Sequence, residues 1–153
     1  MKSLLKLSCL GFALVLSSAI ALAQTNAASA PAGQQEYRPQ FAGDPARSRS
    51  EAVALGYMRV VLRAEQVYKQ KHGRYASTLP SLVGTGTFTK RMTDPNRRDY
   101  KVRFKGTGAG FALWMDALPQ PSPQHRSFFS DERGAIRADE NKSAGPDSPV
   151  AKP

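Results

Sequence analysis

The sequence predicts an α+β domain: one long N-terminal helix packed on a four-stranded antiparallel sheet. Three observations predict it. Residues 50–73 (SEAVALGYMRVVLRAEQVYKQKHG) carry apolar side chains at helical spacing and stop at a glycine. Tyr100, Val102 and Phe104 alternate with Lys101, Arg103 and Lys105, the period-two pattern of a half-buried strand. Residues 106–110 (GTGAG) and 131–134 (DERG) are turn sequences, each set between two short apolar runs. A helix with one apolar stripe cannot cover itself, and a meander of short strands needs cover on one face. Laying the helix across the sheet satisfies both.

The chain has 153 residues, enough for one domain and little more. Lys2 and Lys6 form a basic start, residues 7–22 are a nearly unbroken apolar run, and Ala21-Leu22-Ala23 supplies small residues before Gln24. Residues 1–23 are therefore expected to be a removable secretory signal, which places the protein in the periplasm or outside the cell. The run falls short of the roughly 20 residues a spanning helix needs, so no transmembrane anchor is expected after cleavage. Cleavage also removes Cys9, the one cysteine. Losing Lys2 and Lys6 leaves 20 basic against 12 acidic residues, a net charge of +8 that draws the protein to polyanions in general.

Residues 24–47 are rich in Ala, Gln, Pro and Gly without an apolar period, and are expected to be a flexible linker from which Tyr37 and Phe41 can dock. Residues 48–139 form the domain. Ser48 and Glu51 have the spacing of a capping box. Val53, Tyr57, Val60, Ala64 and Val67, widened by Val61 and Tyr68, are expected to face the core. Arg59, Arg63, Gln66 and Gln70 are expected to face water, with Glu65 and Lys69 set for an i,i+4 pair. His72 and Gly73 end the helix, at roughly 34 Å of length. Thr78, Pro80 and Leu82 mark one further helical turn, and residues 84–99 read as loop. Strands are expected at 100–105, 111–118, 126–130 and 135–138, with Pro119, Pro121 and Pro123 marking an exposed connection between the middle two. Residues 140–153 are polar and Pro-rich, and are expected to be a disordered tail.

A long helix ending VYKQKHGRYASTLPSL, then a loop, then DYKVRFKGTGAGFALWMDALP and RSFFSDERGAIRAD, resembles the globular part of type IV pilins and type II secretion pseudopilins. The resemblance rests on Tyr68, Gly73 and Tyr75 (Y-x-x-x-x-G-x-Y) and on residues 128–137 (F-F-S-D-x-x-G-x-I-R), and covers about 90 residues of the chain. It implies the pilin-like fold, a protein partner in the cell envelope and assembly with a filament or a type II secretion-type system. Filament-forming members carry a leader cut after glycine, with a glutamate five residues into the mature chain. Here the apolar stretch precedes an Ala-x-Ala site and contains no glutamate. The chain looks like a pilin head released as an exported module.

Lys90, Arg91, Arg97, Arg98, Lys101, Arg103 and Lys105 put seven positive charges against Asp94 and Asp99. The cluster has two readings. It is a contact surface for a polyanion (DNA or an acidic glycan) or a partner, or it is a solvated strand face that discourages edge pairing. Most aromatic residues fall on core phases, but Trp114 alternates opposite Phe111, Leu113 and Met115, and joins the cluster as a candidate contact. Asp131, Glu132, Asp139 and Glu140 stand where the pseudopilin resemblance implies a calcium site, yet they lack a regular ligand spacing, and no metal or cofactor is expected. His72 and His125 have neither a nucleophile nor a carboxylate at motif spacing, so catalysis is not expected. The sequence thus leaves a non-enzymatic pilin-like binding module as the first expectation, and an envelope polyanion binder as the second.

Overall fold

The computed structural model describes residues 37–39 and 41–153, all within one compact unit. The expectations for residues 1–23 and for linker residues 24–36 therefore lie outside the described residues. The fold is α+β. Helix α1 (Arg49–His72) is followed by five strands, β1 (Asn96–Arg97), β2 (Tyr100–Gly106), β3 (Phe111–Ala117), β4 (Ser127–Asp131) and β5 (Arg137–Asp139). They form one antiparallel sheet in the order β1-β2-β3-β4-β5. Five strands replace the four expected. The extra one comes from the segment read as loop, and at two residues it is too short for period-two alternation to reveal.

Both helix ends follow the sequence. Ser48 Oγ accepts from the Glu51 N–H at 3.2 Å, and Gly73 adopts φ +68° while its N–H donates to the Lys69 carbonyl at 2.8 Å. The inward face does so in part: Tyr57, Val61 and Ala64 are buried as expected, and Val60 and Tyr68 pack against the core. The buried set is Glu51, Ala54, Leu55, Tyr57, Met58, Val61, Ala64 and Glu65, whereas Val53 is 64% exposed and Val60 and Val67 are half-buried. The buried stripe is displaced by about one position, so two carboxylates point inward. Glu65 does not pair with Lys69: its side chain is 0% exposed and its Oε2 accepts from the Ala76 N–H at 3.0 Å. Lys69 instead places its ammonium 4.4 Å above the Tyr75 ring. Turning Glu51 and Glu65 inward meets the N–H groups of Arg126 and Ala76, each of which would cost about 1–3 kcal/mol if left unmet in the core.

The inner face of the sheet (Tyr100 and Val102, Phe111, Leu113, Met115 and Ala117, Phe128, Ala138) shares one core cluster with α1. Ala76, Leu79, Leu82 and Phe88 of the connecting segment belong to the same cluster. The expected helical turn is a one-turn 3₁₀ helix (Leu79–Leu82), and a second one (Lys90–Thr93) follows it. The exit from α1 is fastened to the β2–β3 turn by a bond from the Tyr75 N–H to the Gly108 carbonyl at 2.9 Å. Gly106 permits that approach: a Cβ there would stand 1.9 Å from the Ala76 oxygen.

Two polar segments depart from expectation. From the linker, the Tyr37 hydroxyl donates to Asp44 Oδ2 at 2.7 Å, and Asp44 and Ala46 are buried. Phe41 remains half exposed beneath Arg59. Residues 140–153, expected as a disordered tail, return along the edge of β5. The Ala138 N–H donates to the Pro149 carbonyl and the Ala151 N–H to the Ile136 carbonyl, each at 2.9 Å, and Arg137 Nη1 donates to the Ser148 carbonyl at 2.8 Å. Polar composition did not forbid order, because the segment satisfies an open strand edge with its backbone. Among the described residues no helix is long and apolar enough to cross a membrane.

Candidate functional site

The sequence-predicted cluster divides into three parts. The first is a cleft of about 480 Å³ lined by Lys90, Arg91, Thr93, Asp94 and Arg97. Local bonding shapes its wall. Thr93 Oγ1 donates to the Lys90 carbonyl at 2.7 Å, Asp94 Oδ1 accepts from the Asn96 N–H at 2.8 Å, and the Val102 N–H donates to the Pro95 carbonyl at 2.7 Å. Arg97 is half-buried. Its guanidinium lies 4.5 Å over the Tyr57 ring, its Nη2 donates to the Arg91 carbonyl at 3.1 Å, and its Nε is buried without a hydrogen-bond partner. Tyr57 is tied to the same wall by a 2.9 Å bond from its hydroxyl to the Met92 carbonyl. Burial pushes that hydroxyl up to about 12, against the pull of Arg97, so it is a neutral donor.

The second part is the hairpin tip. Arg97 pairs opposite Tyr100, so Arg98 and Asp99 form a two-residue connection, and Arg98 adopts φ +49°. It is the one non-glycine residue with positive φ among the described residues, and it is exposed. A long side chain at that φ is strained where Gly or Asn sits freely.

The third part is the outward face of β2. Lys101, Arg103 and Lys105 are all exposed, as the alternation predicted. Arg103 is already committed. It forms a two-pronged ion pair with Asp116, its Nη2 donates to Ser143 Oγ at 2.9 Å, and its guanidinium lies 4.7 Å from the Trp114 ring centroid. Burial alone would raise the Asp116 pKa, but hydrogen bonds from Arg103 and Ser143 hold that carboxyl below its ordinary value. Trp114 lies on the outward register as expected. It is half-buried, paired across the strands with Phe129 at 5.4 Å between ring centroids. Arg103 and Trp114 thus form one closed stack and do not stand ready for a ligand, whereas Lys90, Arg91, Arg98, Lys101 and Lys105 carry exposed cations outside the salt bridges formed.

Ser50, Asp99 and His125 also converge, a trio that the sequence did not bring together. The Ser50 hydroxyl donates to the Asp99 carboxylate, but His125 Nε2 lies 2.9 Å from the Asp99 backbone oxygen, and its ring packs 4.5 Å from Tyr100. The imidazole therefore does not bridge serine and carboxylate, and the general base of a nucleophilic triad has no route to the hydroxyl. Three of the four acidic residues named by the calcium implication are already engaged. Asp131 Oδ1 accepts from the Arg133 N–H, Asp139 Oδ1 accepts from the N–H groups of Asn141 and Lys142, and Glu140 pairs with Arg47. Among the described residues no group of three His, Cys, Asp or Glu side chains is placed to hold a metal ion.

Sequence reasoning missed Tyr57 as the base on which Arg97 rests, since helical spacing marks Tyr57 only as core. It also missed that Asp116 claims Arg103, although the two-residue offset across a hairpin is the one available signal. No protein-family model, curated protein or solved structure matches the chain.

Proposed function

We propose that the chain is an exported pilin-like module that acts by binding a protein partner of an envelope filament or type II secretion-type assembly, without catalysis. The observation that supports this reading most is the junction at the end of α1. Residues of the Y-x-x-x-x-G-x-Y signature build it: Gly73 closes the helix, the Tyr75 N–H bonds the β2–β3 turn, and the Tyr75 ring packs 5.3 Å from Phe111. The second signature lies on β4 and β5, where Phe128 enters the core against Met115 and Ala138. Both signatures therefore do work in joining helix to sheet, as a pilin head requires. Both sheet edges are blunted, one by the two-residue β1 and the other by the returning residues 149–151, so a partner would meet side chains and not a bare strand.

The test is photo-cross-linking in the cells that make the protein, with the reactive group at Val53 on the open face of α1. The expected result is a discrete adduct with a filament or secretion component that survives salt well above physiological. An exported protein that gives no protein adduct, or a protein retained in the cytoplasm, would overturn the proposal.

A further inference from the structure

The cleft beside β1 has properties that a mere solvated face does not require. We propose that it is a phosphate-binding site through which the protein holds the phosphodiester backbone of a nucleic acid. This inference is independent of the protein partner proposed above.

Three features carry it. The first is a held guanidinium. Arg97 is fixed by the Tyr57 ring on one side and by the Arg91 carbonyl on another, so it meets an anion without first losing side-chain freedom. A planar fork held in this way suits the paired oxygens of a phosphate. The second is an excess of positive charge. Lys90, Arg91 and Arg97 share the cleft with a single acid, Asp94, whose Oδ1 is turned to the Asn96 N–H. The third is the strained Arg98. A hairpin tip with φ +49° favours glycine or asparagine, and an exposed arginine there weakens the fold. Its placement has an account if the guanidinium works at the mouth of the same site.

Cations also flank the cleft on the other face of the same sheet edge. Arg97 stands opposite Tyr100 on the helix side, whereas Lys101 stands opposite Asn96 on the outward face, with Lys105 four residues further along it. A single small anion would use only the cleft. A polymer with a repeated charge that crosses the β1 edge would meet both sets, which is why the ligand is drawn as a phosphodiester chain. On the outward face Arg103 is already neutralised by Asp116.

The experiment is fluorescence anisotropy of the full chain with a labelled single-stranded DNA, the matching duplex and a heparin oligosaccharide, each across a salt series. The two DNA probes separate strand from duplex as the source of the phosphates. DNA binding is expected, with an affinity that falls log-linearly with salt. Arg91→Glu should weaken it about fivefold or more and reduce the salt slope by about one. Arg133→Glu, the same charge change in the exposed β4–β5 turn, should change it less than about twofold. Arg98→Gly separates site from scaffold: it relieves the strained φ, so the thermal midpoint should hold or rise while DNA affinity falls. Equal losses for Arg91→Glu and Arg133→Glu would reduce the effect to net charge and overturn the site. So would absent DNA binding, preference for heparin over both DNA probes, or unchanged affinity in Arg98→Gly.

Discussion

Glu51 and Arg126 lie 75 residues apart and form an ion pair inside the domain. Arg126 Nη2 stands 2.8 Å from Glu51 Oε2, and the two side chains are 3% and 0% exposed. Glu51 also accepts from the backbone N–H groups of Arg47 at 2.8 Å and Arg126 at 2.9 Å, while Arg126 donates to the Pro45 carbonyl. One carboxylate therefore ties the chain entering α1 to the start of β4.

Removing either partner strands a buried charge. Arg126→Met is expected to destabilise the protein by about 3–5 kcal/mol in urea unfolding. The double variant Glu51→Leu with Arg126→Met should lose less than the sum of the single changes. It should still fall short of wild type, because the N–H groups of Arg47 and Arg126 lose their acceptor.

Glu65 predicts an unusual pH dependence. Its side chain is fully buried, Oε1 has no hydrogen-bond partner, and burial pushes its pKa up from 4.5 to about 7, with only the Ala76 N–H acting against it. The folded protein thus keeps a proton that the unfolded chain loses above 4.5, so this group's contribution falls as pH rises from about 4.5 to about 7. The whole effect is at most about 3 kcal/mol. Glu65→Gln should remove that slope, leaving the variant more stable than wild type near pH 8 and similar near pH 5, as read from urea midpoints at about those two values.

Two glycines test the helix–sheet junction by contrast. A Cβ at Gly106 would meet backbone at 1.9 Å (Ala76 O) and 2.8 Å (Ser77 Cα), and neither atom can yield as a side chain would. Gly106→Ala should cost about 3 kcal/mol or more and lower the thermal midpoint clearly. Gly56, in mid-helix with nothing within 4 Å of its Cβ position, should do the reverse: Gly56→Ala is expected to add about 0.5–1 kcal/mol.

Deleting residues 144–153 should expose β5. The edge would lose the bonds from Ala138 to Pro149 and from Ala151 to Ile136, together with the Arg137–Ser148 contact. A lower thermal midpoint and concentration-dependent association, seen by light scattering, are the expected outcomes. An unchanged midpoint would mean that the returning segment contributes nothing to stability.

Part of the candidate site was legible because its signal is local. The alternation of Lys101, Arg103 and Lys105 predicted their outward face, and the same rule placed Trp114 on it. What separated a free lysine from a committed arginine was not local. Asp116 and Ser143 reach Arg103 from another strand and from the returning chain, and Tyr57 reaches Arg97 from the helix. Counting charges along the sequence treats all seven cations alike, whereas cross-strand neighbours decide which of them can meet a ligand.

The sequence by itself determined the single long helix, its Ser48 and Gly73 ends, and the strands on either side of the two tight turns. Capping, periodicity and turn chemistry act over a few residues and need no distant partner. The tertiary structure decided that Glu51 and Glu65 turn inward while Val53 faces water, the fifth strand at Asn96–Arg97 and the seating of residues 140–153. The first and last of these rest on hydrogen-bonding groups brought together from elsewhere in the chain, Arg126 for Glu51, Ala76 for Glu65 and Pro149 for Ala138, whereas the fifth strand pairs across a two-residue turn and is too short for alternation to show. The need to satisfy buried polar groups overrides an apolar row only once those partners have met.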